Sequence, residues 1–128
     1  MKLYRVIQPV KDIEVAVKFY STITGQSGTR VSPGRHYFDL GGTILACYDS
    51  KADGDDEGAE WKPHYNQFIY IAVSDLNVIR LVLEQLGYDS KSLSIEDMPW
   101  GERLLYTADP FGNPICFADE TTLFTGNE

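Results

Sequence analysis

Residues 6–12 read Val-Ile-Gln-Pro-Val-Lys-Asp, and residues 69–75 read Ile-Tyr-Ile-Ala-Val-Ser-Asp. Each stretch is a short, largely apolar run that ends in Val-x-Asp. Such a run is typical of a strand, and the aspartate after it can accept hydrogen bonds from the amides of a helix's first turn. Because Val10 and Val73 are 63 positions apart, the same strand-to-helix passage occurs twice, which indicates an internal repeat.

A helical pattern follows each of the two aspartates. Apolar residues recur there at helical spacing. The first set is Ile13, Ala16, Val17 and Tyr20, and the second is Leu76, Ile79, Val82, Leu83 and Leu86. Glycines stand where these patterns stop, Gly25 after the first and Gly87 after the second, and glycine is the residue that most often ends a helix.

Three strand candidates follow each predicted helix. They are residues 28–31, 36–40 and 43–48 in the first half, and 90–95, 103–108 and 113–118 in the second. The pairs Pro33-Gly34 and Gly41-Gly42 and the stretch Asp109-Pro110-Phe111-Gly112 supply the turns. The sequence therefore predicts an α+β fold of two βαβββ modules in one domain over residues 1–128. Module 1 covers 1–50, an acidic linker loop 51–65, module 2 66–121 and a tail 122–128.

Composition limits the possible functions. The chain has 43% hydrophobic and 23% charged residues, which is ordinary for a globular protein, and its formal net charge is −8. A negative chain lacks the basic stripe that nucleic acid requires, so nucleic-acid binding is not expected. Positions 49 to 60 contain six acidic residues, only one lysine and two glycines, a composition that indicates an exposed loop.

The location follows from what the sequence lacks. The longest apolar runs are too short to span a bilayer, and no apolar segment of signal-peptide length stands at the start, so a cytoplasmic protein is expected. Cys47 and Cys116 form no CxxC or metal-finger pattern. In such a protein they are expected to be reduced, buried thiols.

Two sets of residues resemble a known family. Val10-Lys11-Asp12-Ile13, followed by Phe19-Tyr20 and Gly25, is similar to the opening of glyoxalase/bleomycin-resistance-type domains. Pro99-Trp100-Gly101-Glu102-Arg103, followed by Asp109-Pro110-Phe111-Gly112-Asn113, is similar to their ending. The resemblance to this glyoxalase/bleomycin resistance/dioxygenase superfamily, also called the vicinal oxygen chelate fold, covers nearly the whole chain. It implies two modules forming a curved mixed sheet around a cleft, with helices on the outer face.

The resemblance also implies where a metal would bind. Metal-using members take ligands from the first and last strand of each module, and the matching positions hold Arg5, Ala46, Phe68 and Cys116. A guanidinium has no lone pair to give, alanine and phenylalanine cannot ligate, and one thiolate does not make a stable site. Shifting the register by one residue gives Val6, Cys47, Ile69 and Phe117, or Tyr4, Leu45, Gln67 and Ile115, and neither set is better. No metal or other cofactor is expected.

Strand alternation then predicts which side chains line the cleft. The predicted inward set is Arg5, Ile7, Ala46, Tyr48, Phe68, Tyr70, Pro114 and Cys116. Trp100 is added because in drug-binding relatives the Pro-Trp-Gly segment borders the ligand groove. The predicted ligand-binding residues are Arg5, Ile7, Tyr48, Phe68, Tyr70, Trp100 and Cys116. Such a lining suits a flat or apolar molecule that carries an anionic or carbonyl group.

Structural interpretations of the same residues stay open. Phe68 can fill the space of a lost metal, and Arg5 can form an ion pair with Asp39, Glu102 or Asp109. Cys116 can be considered as a nucleophile, although no histidine stands where it would activate the thiol. The only histidines, His36 and His64, read as exposed residues rather than as parts of a metal site of their own.

Three functions follow from these alternatives. The first is a metal-independent protein that binds a small, planar or aromatic molecule, like the antibiotic-resistance members. The second is a metal-dependent lyase, isomerase or dioxygenase of the same superfamily. The residues at the ligand positions disfavour metal-dependent catalysis, and the question of enzymatic activity stays open. The third is a protein-interaction module with a filled cleft. The resemblance further implies a homodimer.

Overall fold

A computed structural model describes residues 1–55 and 61–125 of the chain. Its contacts divide the chain into two compact units. The first unit comprises residues 1–64 and 110–113, and the second comprises residues 65–109 and 114–128. Within the described residues, no helix has the length and apolar character needed to cross a bilayer.

Each unit contains the βαβββ order that the repeat predicts. The first has β1 Arg5–Pro9, α1 Ile13–Thr24, β2 Thr29–Ser32, β3 Arg35–Leu40 and β4 Thr43–Tyr48. The second has β5 Ile69–Val73, α2 Leu76–Gln85, a 3₁₀ turn Ser90–Ser92, β6 Ile95–Asp97, β7 Arg103–Ala108 and β8 Pro114–Asp119. Both sheets are mixed: β1 runs parallel to β4 and β5 parallel to β8, and the remaining pairs are antiparallel. The α+β prediction is confirmed.

The predicted helix ends are confirmed. The Asp12 carboxylate accepts hydrogen bonds from the amides of Glu14 and Val15, and Asp75 does the same for Asn77 and Val78. Helix α1 ends at Gly25, whose φ of 70° is left-handed and which glycine adopts without steric cost. These contacts satisfy amides that the first turn of a helix leaves without an intrahelical partner.

The core of the first unit lies between its helix and its sheet. Tyr20 and Phe38 are both fully buried, with ring centroids 6.0 Å apart, and Tyr20 also accepts a hydrogen bond from Gln8. Phe19, which the helical pattern did not include, is buried as well, whereas the predicted Val17 is only half-buried. The side of this sheet that carries Gln8 and Phe38 therefore faces α1.

One predicted strand is wrong. Residues 90–95 begin with the 3₁₀ turn rather than with a strand, and only Ile95 of that range is in β6. The side chain of Asp89 accepts a hydrogen bond from the amide of Lys91, and its carbonyl accepts one from the amide of Ser92. Local bonds of this kind compete with strand pairing and favour a turn.

The acidic segment after β4 was expected to be an exposed loop. That prediction is confirmed for Lys51, Ala52 and Gly54, which are exposed in a turn, and wrong for Asp49. Asp49 is buried, and its carboxylate accepts hydrogen bonds from the amides of Ile13 and Ala52. Asp53 accepts from the Ser32 hydroxyl and the Gly34 amide. These carboxylates attach the segment to the first unit, while its other acidic positions, 56, 57 and 60, lie outside the described residues.

The turn before β8 has a structural role in the first unit. Gly112 has a φ of 91°, as the Asp-Pro-x-Gly pattern predicts. Asn113 is almost fully buried, and its side-chain amide donates to the carbonyl of Pro9 at 2.9 Å. Asn113 thereby satisfies a backbone acceptor at the end of β1.

Candidate functional site

Cross-strand pairing in the first unit places a set of side chains opposite α1. In β1 and β4, Arg5 pairs with Ile44, and Ile7 pairs with Ala46. The adjacent strand β3 continues both rows, because Asp39 pairs with Ile44 and Tyr37 with Ala46, and it adds a third row in which Arg35 pairs with Tyr48. Directly paired residues point to the same side of a sheet. The side away from the helix, which we call the first-unit face, therefore carries Arg5, Ile7, Arg35, Tyr37, Asp39, Ile44, Ala46 and Tyr48.

Two arginines of the first-unit face meet at one tyrosine. The Nη1 atoms of Arg5 and Arg35 donate to the hydroxyl oxygen of Tyr37, at 2.8 Å and 3.2 Å. The Arg5 guanidinium also lies over the rings of Tyr4 and Tyr37, 5.3 Å and 5.6 Å from their centroids. Such cation–π contacts hold a guanidinium in place without neutralising its charge.

Arg35 connects this group to a second tyrosine. Its guanidinium lies 4.3 Å from the centroid of the Tyr48 ring, and its Nε is 3.6 Å from a carboxylate oxygen of Asp53. Tyr48 donates a short hydrogen bond to Asp55 and meets the edge of the Trp61 ring at 5.3 Å. The bond to Asp55 is the main reason that the pKa of Tyr48 is raised, so this phenol stays protonated at neutral pH.

The ion pair considered for Arg5 does not form. Among the described residues, no carboxylate lies within salt-bridge distance of its guanidinium, whereas Arg30, Arg35 and Arg103 each have one. Arg5 is exposed, and its contacts are with Tyr4 and Tyr37. Its remaining N–H groups are available to a ligand.

The second unit carries a comparable face. Tyr70, Cys116 and Tyr106 form one cross-strand row, and the Phe68 ring meets the edge of the Tyr106 ring at 5.4 Å. We call Phe68, Tyr70, Tyr106 and Cys116 the second-unit face. Tyr70 is 57% exposed and Phe68 is 36% exposed, so both rings present apolar surface to solvent. Phe68 therefore does not fill a closed space.

Neither titratable group at the centre of that row is poised for reaction at neutral pH. Desolvation, with the hydrogen bond that Tyr106 donates to Tyr70 as the second cause, raises the pKa of Tyr106 to about 12. Desolvation, with the nearby Glu102 charge as the second cause, raises the pKa of Cys116 to about 12. Because a thiol attacks as its thiolate, this buried Cys116 is a poor nucleophile. Cys47 is also buried, and both cysteines are reduced as predicted.

Trp100 is the seventh predicted ligand contact. Its side chain is 63% exposed, and its Nε1 donates to the carboxylate of Glu102 at 2.6 Å. This bond orients the ring on the segment that precedes β7. The seven predicted residues thus divide into Arg5, Ile7 and Tyr48 in the first unit and Phe68, Tyr70, Trp100 and Cys116 in the second.

The side chains at the four family ligand positions do not fit a divalent ion. Arg5 and Ala46 lie on the first-unit face, and Phe68 and Cys116 on the second-unit face. Among them only the Cys116 thiol can ligate, and its raised pKa opposes the thiolate form. The shifted strand positions of the first unit, Val6, Leu45 and Cys47, lie on the helix side, and Tyr4 precedes β1. Within residues 1–55 and 61–125, no three His, Cys, Asp or Glu side chains form a group suited to a metal.

The two histidines have different surroundings. His36 was expected to be exposed, but it is only 7% exposed, and its ring nitrogens pair with Arg30 Nε and the Ser27 carbonyl. Its ring lies on the helix side of β3, 5.1 Å from that of Phe38. His64 is exposed, as predicted.

Tyr37, Arg35, Trp61 and Tyr106 were not among the predicted site residues. The sequence holds a signal for the first two, because the two-residue turn Gly41-Gly42 determines the pairing of β3 with β4. Counting back across that turn from Ala46 gives Tyr37, and from Tyr48 gives Arg35. Trp61 follows the acidic segment, and no local pattern indicates its contact with Tyr48.

Comparisons with known proteins agree on the fold. The family model described as Glyoxalase/Bleomycin resistance protein/Dioxygenase superfamily matches residues 2–117. Among proteins with curated descriptions, none matches the sequence.

Three solved structures illustrate the similarity. A glyoxalase/bleomycin resistance protein from Albidiferax ferrireducens T118 is 19% identical with a TM-score of 0.72, over 90% of this chain and 96% of the other. Lactoylglutathione lyase from Agrobacterium tumefaciens is 17% identical with a TM-score of 0.66, over 91% and 92%. A bleomycin-binding protein complexed with bleomycin is 17% identical with a TM-score of 0.62, over 92% and 97%. At these identities the likeness shows the fold, which both an enzyme and a binding protein share.

Proposed function

Because the chain belongs to the glyoxalase/bleomycin resistance protein/dioxygenase superfamily, we propose that it binds a small planar organic molecule without a resident metal ion. The observation that carries the proposal is the set of side chains at the family's ligand positions. Arg5, Ala46, Phe68 and Cys116 offer no combination of donors that holds a divalent cation. A metal-dependent lyase, isomerase or dioxygenase activity needs such an ion, so a binding function fits these residues better.

The surfaces opposite the helices supply what a planar ligand requires. The first-unit face offers a guanidinium without a carboxylate partner among the described residues, next to the rings of Tyr4 and Tyr37. The second-unit face offers the exposed rings of Phe68 and Tyr70. Aromatic side chains give large apolar contact area and stack on flat molecules, and an arginine orients an oxygen-bearing group. The other proposed contacts are Ile7 and Tyr48 in the first unit and Trp100 and Cys116 in the second. Tyr48 and Cys116 are 3% and 0% exposed, so they support their faces rather than present surface to solvent.

Thermal unfolding of metal-stripped protein tests the proposal. Planar aromatic compounds of negative, neutral and positive charge are added singly, with and without a chelator. We expect at least one compound to raise the melting temperature and the chelator to leave that shift unchanged. A ligand at a hundred times its Kd stabilises the folded state by about 2.7 kcal/mol, which corresponds to a shift of several degrees for a chain of this size.

A matched pair of variants shows whether the effect arises at the proposed surface. Tyr70→Ala removes an exposed ring from the second-unit face, whereas Phe124→Ala removes an even more exposed ring from the C-terminal segment. The first is expected to reduce the shift and the second to preserve it. Stabilisation by these compounds that appears only after adding stoichiometric Ni²⁺, Zn²⁺, Mn²⁺ or Fe²⁺ would contradict metal independence, and no stabilisation by any compound would contradict binding.

We also propose that the protein is a cytoplasmic homodimer, as many two-module members of its superfamily are. Light scattering coupled to size exclusion tests the oligomeric state. A mass of twice the 14.4 kDa chain is expected, and the mass of a single chain across micromolar concentrations would contradict it.

A further inference from the structure

The arrangement around Tyr37 consists of donors only. A phenol oxygen accepts two hydrogen bonds, and Arg5 and Arg35 supply both. The hydroxyl hydrogen must then point elsewhere, and no described residue accepts it. The Tyr37 O–H and the remaining N–H groups of Arg5 are therefore all available as donors at the same place on the first-unit face.

The charge of this group is not balanced by its neighbours. Asp53 lies 3.6 Å from Arg35 and offsets one of the two positive charges. The hydrogen bond to Tyr37 is the main reason that the pKa of Arg35 is raised still further, so its guanidinium stays charged. Arg5 has no carboxylate partner among the described residues, although the chain carries 19 acidic residues. This excess of positive charge and of donors is suited to an anion.

Flat surfaces border the donors on both sides. Tyr4, which precedes β1, lies under Arg5, and Tyr37 joins the two arginines. Arg35 lies over Tyr48, which is only 3% exposed, so Tyr4 and Tyr37 are the rings next to Arg5 that a ligand can reach. Trp61, which meets the edge of Tyr48, keeps half of its surface exposed. A planar oxyanion matches the fork of a guanidinium better than a spherical anion does, and an attached ring can stack on the neighbouring aromatic side chains.

We propose that the Arg5–Tyr37–Arg35 group binds the carboxylate of a small aromatic acid, with the Arg5 fork and the Tyr37 hydroxyl as donors. Arg35 is a positioning residue, because its bond to Tyr37 and its ion pair with Asp53 hold the hydroxyl in place. This inference rests on the proposed binding function and specifies its ligand class.

Calorimetric titration of the metal-stripped protein with benzoate tests the inference. Benzamide, which has the same shape without the charge, and inorganic phosphate, which has the charge without the ring, are the comparison probes. We expect benzoate to bind at least about tenfold more tightly than either, since a charge-assisted bidentate contact is lost in benzamide and the ring contacts in phosphate. Benzamide binding as tightly as benzoate would overturn the carboxylate assignment, and so would equally tight phosphate binding.

Variants locate the site. Arg5→Gln is expected to weaken benzoate binding at least about tenfold, Arg5→Lys less because the charge remains, and Tyr37→Phe by about threefold or more. Arg103→Gln makes the same change in net charge on the second unit and is the matched control, expected to bind as the parent does. Unchanged benzoate affinity in Arg5→Gln, with an unchanged melting temperature, would overturn the inference.

The failure of this inference can be told apart from failure of the proposed function. If planar neutral or cationic compounds stabilise the protein and benzoate does not, the binding function stands and the carboxylate assignment is overturned. If no planar compound of any charge binds, both are overturned.

Discussion

Replacing Gly34 by alanine is expected to lower the free energy of unfolding by about 3 kcal/mol or more. A Cβ atom at this position would lie 2.1 Å from the carbonyl oxygen of Asp49 and 2.9 Å from the amide nitrogen of Asp53. Both are backbone atoms, so no rotation of a side chain can relieve the overlap, and crowding of this kind costs about 1–3 kcal/mol or occasionally more. Urea unfolding followed by circular dichroism measures the change.

The consequence extends to the candidate site. The backbone of Gly34 makes two hydrogen bonds at this contact: its carbonyl accepts from the Asp49 amide, and its amide donates to the Asp53 side-chain carboxylate. Because Arg35 follows directly in the chain and pairs with Tyr48, displacing Gly34 would also disturb the first-unit face. Weaker benzoate binding is therefore expected in any Gly34→Ala protein that folds.

Gly41→Ala is the matched control. Gly41 has a φ of +65°, but a Cβ atom there would meet nothing within 4 Å. The expected cost is only that of a left-handed conformation, about 1–2 kcal/mol. If the two variants lost the same stability, the overlap of a Cβ atom at position 34 with the backbone of Asp49 and Asp53 would not be the cause of the loss.

Truncation of Phe38 to alanine is expected to remove about 3–5 kcal/mol of stability, the range measured for large-to-small changes of buried aromatic residues. The Phe38 side chain is fully buried between its cross-strand partner Leu45 and the rings of Tyr20 and His36. Alanine would lose the transfer free energy of the ring and leave a cavity between helix α1 and the sheet. Chemical denaturation measures this loss directly.

Two further variants serve as controls for Phe38→Ala. Phe38→Leu keeps most of the apolar volume and should cost clearly less, since volume-conserving changes are tolerated best. Phe124→Ala removes a ring that is 86% exposed and should change stability by no more than about 0.5 kcal/mol. Equal losses for Phe38→Ala and Phe124→Ala would show that the helix–sheet layer is not the core of the first unit.

Local patterns were enough for most of the fold. The helix caps, one helix end and one turn depend only on residues next to them in the chain, so the sequence predicts them correctly. They are the caps at Asp12 and Asp75, the helix end at Gly25 and the turn at Gly41-Gly42. Local interactions also explain why the predicted strand at residues 90–95 is wrong. There, the bonds that Asp89 makes to its neighbours outweigh strand propensity.

The candidate site was predictable only in part. Alternation from the family positions placed Arg5, Ile7 and Tyr48 on one face, because a strand of known register has only two sides. Tyr37 was missed because its bond to Arg5 spans 32 positions and requires β3 to pair with β4 in one register. The burial of Asp49 was missed because its partner, the amide of Ile13, is 36 positions away.

The amino-acid sequence by itself determined the doubled βαβββ order, the cap and turn positions, and the loss of metal-binding side chains at the family's ligand positions. Those properties depend on residue identity and on short-range periodicity, which the chain carries whether folded or not. Only the tertiary structure decided which partner each charged side chain has: Asp53 has Arg35, Asp55 has the Tyr48 hydroxyl, and Arg5 has the Tyr37 hydroxyl instead of a carboxylate. Charge pairing depends on distances of a few ångströms between residues far apart in the chain, and those distances exist only after the strands have assembled.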